Sequence, residues 1–449
     1  MTDPFSIGAF DFPKGFIFGS ATAGHQIEGD NIHSNNWFYE IERHAENPKF
    51  ELSGKACNSY VMWKDDNELL TKLGHQMYRM SIEWSRIEPV ENTFEIKEVE
   101  HYIKIFEDLK KRNIKICLTL IHGSVPDWFF KKEWFYKYEN IKYFERYLEY
   151  IVPKVAPYVD YWITLNEPNS QNDPQYFDYK YNAVLFHARA NSIIKKYSSK
   201  PVSLALMLVQ QFGVRQWDVF DVTMQNYFDL INNEFFLHAI RTGELVLPYR
   251  DAVYDKEIKN SCDFWAINSY RRRMIDTRKA SMAGDRYRHE KTQLLKESNF
   301  GNCFDAECMI HNLTRLTDKP VLVSENGSAC DNDDFRIIYI LEYLSAINEA
   351  INMGVNVFGY LYWSLIDNYE WSSYLPRFGL VDVDRAHDFK RTPKNSAFFY
   401  KDIIENNGYD PSMLRKYIKE LPRVEYSSNN VTASPSAKMS KQKGYLGEL

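Results

Sequence analysis

The chain has 449 residues, 44% of them hydrophobic and 26% charged, with a formal net charge of -6. That mild acidity comes with no basic stripe, which argues against a nucleic-acid partner, and no uninterrupted apolar run approaches membrane-spanning length. Residues 1–12 have neither a basic n-region nor an apolar h-region, so no secretory signal is expected.

Strand-like runs recur at 16–22, 76–82, 115–121, 160–165, 202–209, 264–270, 321–325 and 357–363. Between them lie helical patterns. Ile96, Val99, Ile103, Phe106 and Leu109 recur at helical spacing with charges opposite, and Ile337, Ile340, Leu341, Leu344 and Ile347 do the same. Eight strands alternating with helices predict an α/β fold, a single-domain (β/α)8 TIM barrel over residues 1–425. Two stretches break the pattern. Residues 271–300 are rich in Arg, Lys and Glu and read as a loop excursion over the barrel mouth, and residues 426–449 read as a disordered tail.

Six cysteines (Cys57, Cys117, Cys262, Cys303, Cys308 and Cys330) are scattered, and no CxxC or HExxH string exists. They are expected to be free thiols in a reducing compartment, so the localisation expected is cytoplasmic. Aromatic residues make up 16% of the chain, with 10 Trp and 31 Tyr. Such a supply suits either a generous core or the stacking of sugar rings.

Two glutamates stand out. Thr164-Leu165-Asn166-Glu167-Pro168 and Val323-Ser324-Glu325-Asn326-Gly327 each follow an apolar, β-rich run. Each glutamate therefore tops a buried parallel strand, where barrel enzymes place their chemistry. One such residue alone reads as a structural ion pair. Two carboxyls facing one cavity are the minimal equipment for cleaving a glycosidic bond: a gap of about 5–5.5 Å gives retention and about 6.5–9.5 Å gives inversion.

Further strings carry a resemblance. They are Phe12-Pro13-Lys14-Gly15-Phe16 with Gln26-Ile27-Glu28-Gly29, then Arg79-Met80-Ser81-Ile82-Glu83-Trp84, the two glutamate strings, and Trp363-Ser364-Leu365-Ile366-Asp367-Asn368-Tyr369-Glu370-Trp371. In this order, over roughly residues 12–400, they resemble glycoside hydrolase family 1. The resemblance implies a retaining, exo-acting β-glycosidase with Glu325 as nucleophile, Glu167 as acid/base, and Arg79 and Tyr270 on Glu325. It also implies that Gln26, His122, Asn166, Glu370 and Trp371 bond the hydroxyls of a terminal sugar, Asn166 the 2-hydroxyl, and that Trp363 is its stacking platform. The expected partner is a small-molecule or oligosaccharide β-glycoside, and no metal or organic cofactor is implied. Glu370 stands where members acting on 6-phosphorylated sugars lack an acid, which implies a free glucoside or galactoside. Glu167, in place of a glutamine, implies an O-glycosidic bond.

Departures are visible too. The family usually reads His-Trp where this chain has His122-Gly123, and Asn-Tyr-Tyr where it has Asn268-Ser269-Tyr270. Either space is left for a substituted sugar, or another aromatic such as Trp128 or Trp265 fills it. Arg271-Arg272-Arg273 reads as a solvated loop paired with Glu290 or Glu297, or as a lure for an acidic leaving group. Two alternatives to hydrolysis use the same residues: a catalytically silent glycan- or partner-binding relative, and a transglycosylase.

Overall fold

The computed structural model describes residues 3–170, 176–248, 250–278, 283–284 and 305–422. Eight parallel strands close a barrel: β1 Ile17–Ala21, β2 Met77–Ser81, β3 Lys115–Ile121, β4 Tyr161–Asn166, β5 Val202–Met207, β6 Trp265–Asn268, β7 Val321–Asn326 and β8 Val357–Trp363. Each pairs with its neighbours in sequence, and β8 closes on β1 with Trp363 opposite Ala21. These are the eight segments expected, and they read as near-continuous apolar runs because both faces are covered. The two helical patterns form Ile96–Lys111 and Asp333–Asn352 on the outside, with Val99, Phe106, Ile337 and Leu344 buried against the sheet.

Inside, the barrel is a packed core graded from apolar to polar. Tyr161, Phe264 and Phe358 plug the N-terminal end, with ring centroids 5.5 to 5.7 Å apart. Ile17, Met77, Cys117, Ile163, Ala266, Leu322 and Leu361 fill the middle. At the C-terminal ends the inward positions become Arg79, Asn166, Asn268, Glu325 and Trp363. Strand register slips at this level, between Ile163 and Asn166 on β4 and between Val323 and Asn326 on β7. Such irregularities re-aim side chains next to active sites. Gly327 lets the chain leave β7 here, because a Cβ on it would collide with the Trp363 carbonyl.

The polar stretch after β6 departs from the loop expected. Arg272–Ile275 is a strand, paired in parallel with Gln210–Gly213 and antiparallel with Ala283–Gly284, in a small sheet outside the barrel. Most of the remaining excursion, and the 426–449 tail, lie outside the described residues. The described cysteines (Cys57, Cys117, Cys262, Cys308 and Cys330) are all free and buried. Among the described residues no helix is long and apolar enough to cross a membrane, and no group of side chains could hold a metal ion.

Candidate active site

Glu325, at the end of β7, is a buried carboxylate held on both oxygens. Arg79 of β2 donates from Nη1 to Glu325 Oε1 at 2.5 Å, and the Tyr270 phenol donates to Oε2 at 2.7 Å. Burial pushes Glu325 above the ordinary carboxyl range, and these two donors pull the other way, because each favours the charged form. Arg79 itself is completely buried. It is oriented by Nε on Thr119 Oγ1 at 3.1 Å and by Nη2 on Asn166 Oδ1 at 2.6 Å.

Glu167 ends β4 in a contrasting setting. No cation is bonded to it among the described residues; its partner is the Asn268 amide, which donates to Oε1 at 2.8 Å. Burial and then the charge of Glu325 push Glu167 up to about 7. Two carboxyls thus meet in one hydrogen-bonded network, Glu325 under two donors that favour its charged form and Glu167 under the repulsion of that charge, an asymmetry that suits an anion beside an acid. Asn268 stands between them. It also accepts from Arg79 Nη1 at 3.4 Å and from Ser324 Oγ at 2.8 Å, so it ties the acid on β4 to the arginine that clamps Glu325. In the sequence Asn268 stands only within the string that departs from the family's Asn-Tyr-Tyr, and its role depends on a contact across the barrel.

The backbone at Glu167 lies in the left-handed region, φ +48°. For a residue with a Cβ this costs about 1–2 kcal/mol, so the neighbouring structure must impose it. One anchor is Glu167 N–H to Ala205 O on β5, at 2.8 Å.

Of the other expected residues, His122, Trp363, Glu370 and Gln26 are joined to this network or to one another by side-chain contacts. His122 stacks on Trp363 with centroids 5.7 Å apart and a tilt of 19°. Its Nε2 accepts from Asn166 Nδ2 at 3.2 Å, and burial together with Arg79 holds the ring neutral, well below the usual histidine range. Trp363 Nε1 donates to Glu370 Oε1 at 3.2 Å. Gln26 donates from Nε2 to Tyr369 O at 2.9 Å and to Asn368 Oδ1 at 3.1 Å. Gln26 Oε1 and His122 Nδ1 are buried with no hydrogen-bond partner. An orphan acceptor and an orphan donor beside two carboxyls suit a polyhydroxylated ligand.

A family model for Glycosyl hydrolase family 1 matches residues 9–409. The chain belongs to that family. It is 28% identical to beta-glucosidase A of Acetivibrio thermocellus, over 89% of this chain and 99% of that one. It is 29% identical to a chloroplastic galactolipid galactosyltransferase of Arabidopsis thaliana, over 77% of this chain and 58% of that protein. The solved beta-glycosidase of Pyrococcus horikoshii superposes with a TM-score of 0.81 at 29% identity, covering 91% of this chain and 98% of that one. The protein is thus a glycoside hydrolase of family 1 built on a (β/α)8 barrel.

Against that family background the departure at Gly123 takes on physical meaning. Neither Trp128 nor Trp265 fills the space. Trp128 packs edge-on to Trp84 and bonds Glu88 O, and Trp265 faces outward onto Asp318. Trp371 fills it instead. A Cβ on Gly123 would lie 2.7 Å from the Trp371 benzo edge, and the glycine is itself left-handed at φ +71°. The Trp371 indole also lies parallel to the buried His25 ring, with a tilt of 7° and centroids 6.1 Å apart. His25 is in turn held by Glu40 at 2.7 Å. Gly123→Ala is expected to cost about 1–3 kcal/mol through this overlap. It should lower the melting temperature and raise KM for an aryl glycoside by roughly tenfold, with a smaller change in kcat. An unchanged KM would show that Trp371 does not meet the sugar.

Two further features bear on specificity in this family 1 enzyme. Burial pushes Glu370 up to about 8, so near neutral pH it is mostly a neutral acid and can both donate to and accept from a sugar hydroxyl. The charged groups that bear most on it are Glu325 and Asp367, both acidic, so an incoming phosphate would meet no compensating cation from them. The second concerns the arginines. Arg272 pairs with Asp305 and Glu307, while Glu290 and Glu297 lie outside the described residues.

Proposed function

We propose that the enzyme removes a terminal, unphosphorylated β-D-glucosyl or β-D-galactosyl residue from an O-glycoside by double displacement, with retention. The observation that carries this reading is the pairing of a clamped anion with an unclamped acid. Glu325 is held by Arg79 and Tyr270, whereas Glu167 is held only by the Asn268 amide and pushed up to about 7. Glu167 protonates the departing oxygen as Glu325 attacks the anomeric carbon. Once Glu325 is esterified its charge is gone, the repulsion on Glu167 falls, and Glu167 takes a proton from the incoming water. Asn166, bonded to both Arg79 and His122, meets the 2-hydroxyl, and Trp363 carries the sugar face. Names among the relatives support both glycones, and the galactosyltransferase keeps transfer to an alcohol open as a second outcome of the same intermediate. Free buried thiols support a cytoplasmic location.

A panel of nitrophenyl glycosides tests this. β-Glucoside or β-galactoside should be cleaved, and α-linked and 6-phosphorylated analogues should not. Substituted glycones are included because one indole stands where the family usually has two; a strict preference for plain β-glucose would remove that tolerance. Products formed with and without an added alcohol separate hydrolysis from transfer.

A further inference from the structure

Lys180 lies in the first turn of the helix Phe177–Tyr197 and is fully buried. Its ammonium donates to Asn232 Oδ1 at 2.7 Å, Ile231 O at 2.9 Å and Asn169 O at 3.3 Å. All three are neutral acceptors, and no carboxylate is bonded to it among the described residues. Burial, with the charge of Arg273 adding to it, pulls the ammonium down to about 7. A cation kept in so unfavourable a place is held for the bonds it makes. Three acceptors that cannot donate require three N–H groups, which only the charged amine supplies.

Those bonds lead to Glu167. Asn169, two residues on, brackets β5 by donating to Met207 O at 2.9 Å and accepting from Met207 N–H at 3.0 Å. It also donates to Asn232 O at 2.8 Å. Lys180 therefore grips both Asn169 and the Asn232 segment on which Asn169 rests. Glu167 is caught between this bracket and its own bond to Ala205 O, in a backbone conformation it would not adopt unaided. We infer that Lys180 is a positioning residue for the acid/base, a buried cationic strut that holds the Glu167 turn in its left-handed form so that the carboxyl meets the glycosidic oxygen.

The inference rests on the acid/base reading of Glu167, and the test keeps the two apart. It compares kcat/KM for a 2,4-dinitrophenyl glycoside, whose leaving group needs no protonation, with kcat/KM for the phenyl glycoside, which does. In Lys180→Met the phenyl glycoside should lose on the order of 10²-fold, the effect of misplacing a catalytic group by about 1 Å, while the dinitrophenyl glycoside changes little. Asn232→Ala removes one acceptor and is the milder variant should Lys180→Met fold poorly; the same split is expected at smaller size. Equal losses on both substrates in a folded variant, or no loss on either, would overturn the strut. If instead Glu167→Gln shows no leaving-group dependence, the acid/base reading itself has failed and the strut falls with it, a result distinct from a split that is present in Glu167→Gln but missing in Lys180→Met.

Discussion

Glu325→Gln should lower kcat by on the order of 10⁴–10⁶-fold while leaving the fold and the sugar affinity close to native. The reason is in the site. The amide is isosteric, and its oxygen can still accept from Arg79 while its NH2 donates to the Tyr270 phenol oxygen, but it is no nucleophile, and it removes the negative charge that both groups are arranged to hold. A shorter replacement, Glu325→Gly, opens room for an external anion. Azide should then restore turnover of an activated β-glycoside and give the α-glycosyl azide, the product of a single inversion. Melting curves on Glu325→Gln check that the loss is chemical. Residual activity within about tenfold of native would mean that another group attacks the sugar.

Glu167→Gln should behave differently, and the difference is diagnostic. For a phenyl glycoside kcat/KM should fall by about 10²–10⁴-fold, the usual contribution of a general acid, while a dinitrophenyl glycoside loses far less in that first step. The pH profile should change with it. In the native enzyme Glu167 must carry its proton to act as the acid, and burial and Glu325 set that proton's release near 7. Activity is therefore present below about 7 and lost as pH rises through it. On the acid side activity falls as Glu325 gains a proton. Glu167→Gln should abolish the alkaline limb and leave the acid limb in place. An alkaline limb that survives the substitution would assign it to another group.

The frame of this enzyme was legible from the chain because barrel strands covered on both faces leave near-continuous apolar runs. Glu167 and Glu325 were legible because each is charged at the end of such a run. What escaped the sequence depends on contacts between distant positions. Asn268 stands in the sequence only as part of the Asn268-Ser269-Tyr270 departure, and its bond to Glu167 joins β4 to β6. Gly123 was read as a missing indole, but its partner Trp371 comes from the far end of the chain and packs on it only once the barrel has closed. Arg272–Ile275 was read as loop because of its charge, yet it lies in a small sheet outside the barrel, where polar side chains are tolerated. Lys180 lay hidden within a helix, since nothing in a run of residues announces that an ammonium will face three carbonyl oxygens.

The central claim is that Glu325 bonds to the sugar carbon while Glu167 handles the proton. A 2-deoxy-2-fluoro glycosyl substrate with a dinitrophenyl leaving group tests it most directly, because the fluorine slows breakdown of the glycosyl-enzyme more than its formation is slowed by so good a leaving group. Digestion and mass spectrometry of the inactivated protein should place a single fluorosugar on the peptide containing Glu325, and an excess of free sugar should protect against it. A label on the Glu167 peptide, or full inactivation without any covalent sugar, would contradict the account.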